Sequence, residues 1–376
     1  MTNKKQKQQP ATALGRALEN YRQQHDMKIL DLAEYLSVSD RTVSRWISGE
    51  TILNDVRELK RIANLLEVEP ESLGIVASLS LPLTPEQVDA TVELVWSLIH
   101  QARYAEGRAI IERLLRDLTS QIETEDPIYL SGLARAHHVA GHVTSEGSRT
   151  DKVLAAFSHF QETEKIARII KDDTLLNIAL TYEGDMLRRK GDIRGGLQYL
   201  EEARDHTPNA DKEARGNSLQ LLARASLNSK DTYQFEQAMA EAEELSADTS
   251  SFTGSTHGFY SLGAVYEEYG KSYGWLGQTE QASKYLDLAR QHLPKTVHWE
   301  LVLETAQAMA LVRGGEVSEG SQLAVHAALH CQRVGNYRML ERVYSIQHYL
   351  EQLTLDIGNA HTIIRDALVN GPIEYI

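Results

Sequence analysis

The sequence predicts an all-α protein, a small head of short helices followed by a long array of paired helices. Three observations predict it. Alanine, leucine and glutamate dominate long stretches, and only 8 prolines and 5 phenylalanines occur in 376 residues, which is a helix-forming vocabulary. Apolar residues recur at three- and four-residue spacing from Leu14 onward, one face of a helix at a time. From about residue 87 a pattern anchored on glycine and alanine returns repeatedly. The length suggests two or three domains, and 42% hydrophobic residues supply a globular core.

Composition also excludes classes. No run approaches the roughly 18 to 20 apolar residues that span a bilayer. The start, MTNKKQKQQP, has no apolar stretch behind its charges, so it does not read as a secretory signal. A single cysteine, Cys331, rules out an internal disulfide and fits a reducing compartment. The expectation is a soluble cytoplasmic protein. Its formal charge of −14 is unevenly spread. Residues 1–61 carry a balance of +3 and the remainder −17. A mildly basic head on an acidic body fits a small DNA reader joined to a larger module of another kind.

In the head, residues 1–13 read as a flexible basic tail and 14–73 as five short helices. Leu14, Leu18 and Tyr21 share the first face, and Ile29, Leu32, Ala33 and Leu36 the second. After the Val38-Ser39 turn, Ser39 and Asp40 can cap a third helix carrying Val43, Trp46 and Ile47, stopped by Gly49. A fourth helix begins near Asn54 with Val56, Leu59, Ile62, Ala63 and Leu66, and a short fifth turn spans 70–73. Val38, Val43 and Trp46 would pack the third helix on the second, with Ala33 small at their crossing. The opposite face, Asp40, Arg41, Ser44 and Arg45 with Thr42 beside it, is left for a major groove. Arginine suits guanine O6 and N7, and Ser or Thr suits phosphate or either base edge.

The stretch LAEYLSVSDRTVSRWISGE at 32–50 resembles the helix-turn-helix of the Xre/phage-repressor family, with a five-helix lambda-repressor-like fold. The resemblance places Asp40, Arg41 and Arg45 at base-reading positions. The candidate DNA-binding set is therefore Ser39, Asp40, Arg41, Thr42, Ser44 and Arg45. Two positions depart from the family: Ile29 stands where a Gln is common, and Ile47 where a Glu is common.

Residues 74–86, with two prolines and no helical stripe, read as a linker. In 87–376, aligning Gly191 with Gly277 brings Gly184 over Gly270, Leu187 over Tyr273, Gly196 over Ala282, Leu200 over Leu286, Ala203 over Ala289 and Pro208 over Pro294. Gly315, Gly320, Ala324 and Ala327 anchor a third copy. Ala223, Met239 and Ala242 mark a weaker one, and degenerate copies lie near 88–119 and 127–171. This pattern resembles the tetratricopeptide repeat, a pair of antiparallel helices. The resemblance implies a right-handed solenoid with a concave inner face, closed by a capping helix pair at 337–371. First-helix positions projected onto that face are Thr181, Asp185, Arg188 and Arg189, then Asn217, Gln220, Arg224 and Asn228. Glu267, Lys271 and Trp275 follow, and last Thr305, Met309 and Arg313. These form the candidate ligand-binding stripe: amides could clamp an extended peptide backbone and arginines take a carboxylate. Salt bridges between adjacent repeats are the competing reading for any one of them.

Little else suggests chemistry. His138 and His142 are four apart, with His137 adjacent, but no Glu follows as a metalloprotease needs, and they read as helix-face histidines. Cys331 reads as a buried small hydrophobe. The tyrosines 260, 266, 269 and 273 read as repeat packing. No Walker loop, nucleotide-binding glycine motif or nucleophile elbow occurs, so no enzyme, cofactor or metal is expected.

The combination resembles the peptide-pheromone-responsive transcription regulators of Gram-positive bacteria and their phages. That resemblance implies quorum sensing by a short signalling peptide on the concave face. It also implies a homodimer through the C-terminal repeats and a double-stranded DNA operator as partner, with nucleoid association when DNA is bound. The alternative is an interaction scaffold on DNA whose repeats bind a partner protein without a small effector. An enzyme acting on response-regulator phosphates ranks last, because such solenoid relatives carry a different N-terminal bundle.

Overall fold

The computed structural model describes residues 12–51, 53, 56–68, 70–73, 83–121, 126–148, 153–247 and 254–370. Most of the expected N-terminal tail and of the 74–86 linker lies outside them. Among the described residues there is no strand. The chain divides into two units, residues 1–82 and 83–376.

The first unit has helices α1 (Ala13–Gln24), α2 (Ile29–Tyr35), α3 (Asp40–Ser48) and α4 (Val56–Leu66), then a 3₁₀ turn at Pro70–Leu73. Local chemistry sets the boundaries. The Thr12 hydroxyl accepts from the Gly15 N–H at 3.0 Å, and Ser39 accepts from the Thr42 N–H at 3.1 Å. Each satisfies a donor that the first helical turn leaves orphaned. Gly49 ends α3 at φ 74°, the left-handed conformation that glycine adopts without strain. Leu14, Leu18, Leu32, Leu36, Val43, Trp46, Ile62 and Leu66 form one buried core. Ala33 is buried as expected, but a second close crossing lies at Gly15. A Cβ there would stand 2.7 Å from the Trp46 carbonyl oxygen.

The second unit runs α5 (Pro85–His100), α6 (Tyr104–Gln121), α7 (Pro127–Gly147), α8 (Val153–Ile170), α9 (Asp173–Arg189), α10 (Ile193–His206) and α11 (Lys212–Asn228). It continues with α12 (Thr232–Ser246), α13 (Leu262–Trp275), α14 (Thr279–His292), α15 (Val297–Arg313), α16 (Val317–Val334) and α17 (Tyr337–Asn370). Odd-numbered helices pack on one another in sequence, and each even-numbered helix covers its own partner and the next odd one. This two-layer order makes α5, α7, α9, α11, α13 and α15 the inner layer. Gly191, Gly277 and Gly315 sit in the intra-pair turns at φ 90°, 75° and 97°. Gly184 and Gly196 let α9 and α10 touch, because a Cβ on Gly196 would lie 2.8 Å from the Gly184 oxygen.

One expectation is corrected. The C-terminal stretch is a single 34-residue helix, α17, not a capping pair. No proline occurs before Pro372, and Gly358 is the one glycine inside it. A lone glycine weakens a helix by about 1 kcal/mol without ending it. The first part of α17 packs on α15, α16 and α7, and α15 also meets α5. The inner face is therefore crossed by the last helix rather than left open.

Candidate functional site

On the first unit, α3 buries Val43 and Trp46 and presents the rest. Asp40, Arg41 and Ser44 are exposed, Thr42 and Arg45 half-buried. Ser39 and Thr42 spend their hydroxyls on each other at 2.7 Å, and Ser39 caps the helix as well. Asp40 accepts from the Arg41 N–H at 2.8 Å. Arg45 lies 3.6 Å from Glu50, a solvated pair that a phosphate or guanine can displace at little cost. Of the six residues projected to meet DNA, Arg41 and Ser44 project without a structural task, while Ser39 and Thr42 form the cap.

In the second unit, the inner face and the start of α17 enclose a cleft of about 330 Å³. Cationic side chains line it: Arg188 and Arg189 from α9, Arg224 from α11, Lys271 from α13, and Arg338 and Arg342 from α17. Leu227, Trp275, Ala306 and Met309 form an apolar wall. Glu268 and Glu341 line the cleft among these cations, and Glu146, Asp185 and Glu267 lie buried beside it. Asp185 takes Arg188 at 2.7 Å, Arg224 at 3.6 Å and Arg338 at 3.7 Å. Burial works against its charge, yet Arg188, Arg224 and Arg338 hold the carboxyl well below the usual range. Glu268 pairs with both Arg224 and Lys271, and Glu146 with Arg338. Arg342 reaches Glu267 at 3.3 Å and Arg189 reaches Glu341 at 3.1 Å. Burial and the nearby Arg224 push the Lys271 ammonium down to about 7.

Most members of the projected stripe line the cleft or the void beside it, but they do different work. Arg188, Arg189, Arg224, Asn228, Lys271, Trp275, Thr305 and Met309 line the cleft. Asn217, Gln220 and Glu267 line a smaller adjoining void of about 50 Å³. Asn217 donates to the Tyr182 hydroxyl at 3.0 Å, and Arg188 donates to Asn228 Oδ1 at 3.0 Å. Thr181 is fully buried, and Asp185 serves as the anchor of the ion network. Arg313 is held between the rings of Trp275 and Tyr349, at 3.9 and 4.5 Å, and donates to the Trp275 carbonyl. The sequence reading missed Glu146, Glu268, Arg338, Glu341 and Arg342. The last three fall at helical spacing along one face of α17, a signal hidden by treating that stretch as a cap.

The histidine pair, read as helix-face histidines, lies on a buried face of α7. His138 and His142 are enclosed around Trp96, at ring distances of 5.1 and 4.8 Å. Burial, and then neighbouring charges, keep both imidazoles neutral. Among the described residues no group of three His, Cys, Asp or Glu could hold a metal ion. Cys331 is buried, and burial pushes its thiol up to about 12.

These features define a class: a helix-turn-helix DNA-binding unit joined to a helical-repeat unit. Residues 18–73 match the family HTH_3, Helix-turn-helix, so the N-terminal unit is a helix-turn-helix domain of Xre type. No curated protein matches the sequence. Several solved structures are similar at low identity. Bacillus thuringiensis PlcR in complex with the peptide PapR7 and DNA is 16% identical, covering 78% of this chain and 99% of that one, with a TM-score of 0.39. Pseudomonas aeruginosa pilF is 16% identical over 70% of this chain and 98% of that one, at 0.35. The apo competence regulator ComR from Streptococcus vestibularis is 13% identical over 82% and 98%, at 0.35. At such scores, what those proteins bind says nothing of this chain. No helix among the described residues is long and apolar enough to cross a membrane.

Proposed function

We propose that this chain is a sequence-specific transcription regulator whose DNA binding is gated by a short signalling peptide held in the inner-face cleft. The observation that carries the ligand reading is the cleft itself. It joins a cationic end, an apolar wall and Asn228 within one open cleft. That is the mix an extended peptide with a carboxylate needs. On the first unit, Asp40, Arg41, Ser44 and Arg45 are the residues that read the operator, with Ser39 and Thr42 holding the helix start near phosphate.

The ion network gives the gating a physical route. Arg338 ties α17 to α7 and α9, and Arg342 ties it to α13. A ligand that repartners these arginines favours another setting of α17, by as much as its affinity differs between the two. Beyond the cleft, α17 exposes Leu355, Ile357, Ile363, Ile364 and Leu368. Of these, Ile357, Ile364 and Leu368 share one face, which suits a second copy of the chain, and a dimer would pair two helix-turn-helix heads on half-sites about 34 Å apart or a multiple.

The test selects bound duplexes from a random pool with the full chain, then measures affinity for the winner with and without a random heptapeptide library. A near-palindromic site whose occupancy changes with peptide, and ceases to change in Asn228→Ala, is the expected result. Tight operator binding indifferent to every peptide would overturn the gating and leave the scaffold reading.

A further inference from the structure

A second cavity lies away from the cationic cleft. It measures about 300 Å³ and is lined by Glu93, Trp96, Ser97 and His100 of α5 and Gln101 just after it, His257 of the α12–α13 connection, and Thr296 just before α15. It sits where the first and last repeats of the second unit meet, and no residue of the projected stripe touches it.

Glu93 is the one formally charged residue of the lining, and its carboxylate is exposed at the rim. The nearest polar neighbour of Glu93 is the His257 imidazole, with Nδ1 at 3.5 Å. Burial, then His100 and Arg135, push that imidazole down to about 4, so it is neutral and offers no counter-charge. Arg135, the cation whose field reaches Glu93, is paired instead with Asp89 at 2.5 Å. Burial raises the Glu93 carboxyl above its ordinary value despite Arg135. The inner wall is aromatic, while Glu93, Ser97 and Gln101 are exposed at the rim. Trp96 is 2% exposed, its indole N–H has no hydrogen-bond partner, and its ring stacks on His257 at 4.5 Å. His257 is itself held in the left-handed region at φ 49°, where a non-glycine residue is strained. His100 secures it by hydrogen bonding to its carbonyl at 2.7 Å.

We propose that this cavity binds a primary ammonium group carried on a small apolar body, with Glu93 as its counter-charge. An ammonium has three donors and no acceptor. Glu93 accepts at the rim, and the Ser97 hydroxyl, which takes Gln101 Nε2 at 3.1 Å, keeps a second lone pair for the ammonium. The aromatic inner wall takes the apolar body, while Glu93 and Ser97 meet the ammonium at the solvent-facing rim. A cavity near 300 Å³ is at the small end of ligand sites, large enough for an arylalkyl amine or one amino-terminal residue. The site is independent of any peptide in the cationic cleft.

Calorimetric titration of the full chain tests it with four probes: benzylamine, benzyl alcohol, phenylalanyl-glycinamide and N-acetyl-phenylalanyl-glycinamide. Benzylamine is expected to bind more tightly than benzyl alcohol. Glu93→Gln should weaken benzylamine by about tenfold or more while leaving benzyl alcohol unchanged. Glu93 is 55% exposed at its side chain, so this variant should melt with the wild type. Binding of the unblocked dipeptide alone among the two peptides extends the site to amino termini. Binding of benzylamine with neither peptide confines it to free amines. Equal affinity for benzylamine and benzyl alcohol, no heat from benzylamine at tens of millimolar, or indifference to Glu93→Gln would overturn the assignment.

Discussion

Asp185 is the point at which three helices are tied by charge, and Asp185→Asn measures what that tie is worth. The substitution keeps volume and shape, so no cavity opens and the effect is electrostatic. Its carboxylate is 1% exposed and meets Arg188 of α9, Arg224 of α11 and Arg338 of α17. At an effective dielectric near 20, each contact represents about 5 kcal/mol of gross attraction. Desolvation of the carboxylate offsets much of that sum. What remains is the penalty of leaving guanidinium charge buried without its partner, about 3–5 kcal/mol. Urea unfolding of the full chain, followed by tryptophan emission, reads it, since Trp96, Trp275 and Trp299 all lie in the second unit. The midpoint should fall with little change in slope. Arg338→Met should also destabilise, and the double variant should lose clearly less than the two single losses combined. A loss under about 1 kcal/mol for Asp185→Asn would refute the view that this cluster holds α17 across the inner face.

Other consequences are separable. Arg41→Ala should weaken operator binding by about 1–3 kcal/mol with an unchanged melting curve; an unaltered mobility shift would remove α3 as the reading helix. Gly184→Val should destabilise by about 1–3 kcal/mol, because its Cβ would sit 2.9 Å from the Gly196 oxygen and 2.8 Å from Leu200 Cγ; thermal unfolding checks it. Glu183 is fully buried, and burial together with Glu164 pushes its carboxyl up to about 8. The fold therefore favours the protonated form, and stability falls as pH climbs from the ordinary glutamate value through about 8. Glu183→Gln should flatten that slope and raise the melting midpoint at pH 8 relative to wild type. An identical pH profile for both proteins would count against this buried proton.

The sequence by itself determined the all-helical class, the helix-turn-helix and the pairing of repeats. These rest on local rules: Ser39 as a cap, Gly49 as a stop, the 3.6-residue stripe through Val43 and Trp46, and glycines at intra-pair turns. Each acts over a few residues and is written in order along the chain. The inner-face stripe was legible as an orientation, because residues at a given register of each first helix must face the same way. Its chemistry was not. Whether Arg224 awaits a ligand or neutralises Glu268 depends on a helix 44 positions later. Whether the face is open depends on α17 crossing back to α7, roughly 190 residues away in sequence (Arg338 to Glu146). The Glu93 cavity likewise exists only because the α12–α13 connection carries His257 onto Trp96, 161 positions apart in the numbering. Periodicity fixes which side of a helix is buried, since that is set by neighbours one turn away. Charge balance and enclosure were left to the tertiary structure, since they depend on which distant groups meet in low dielectric, and no local pattern encodes that meeting.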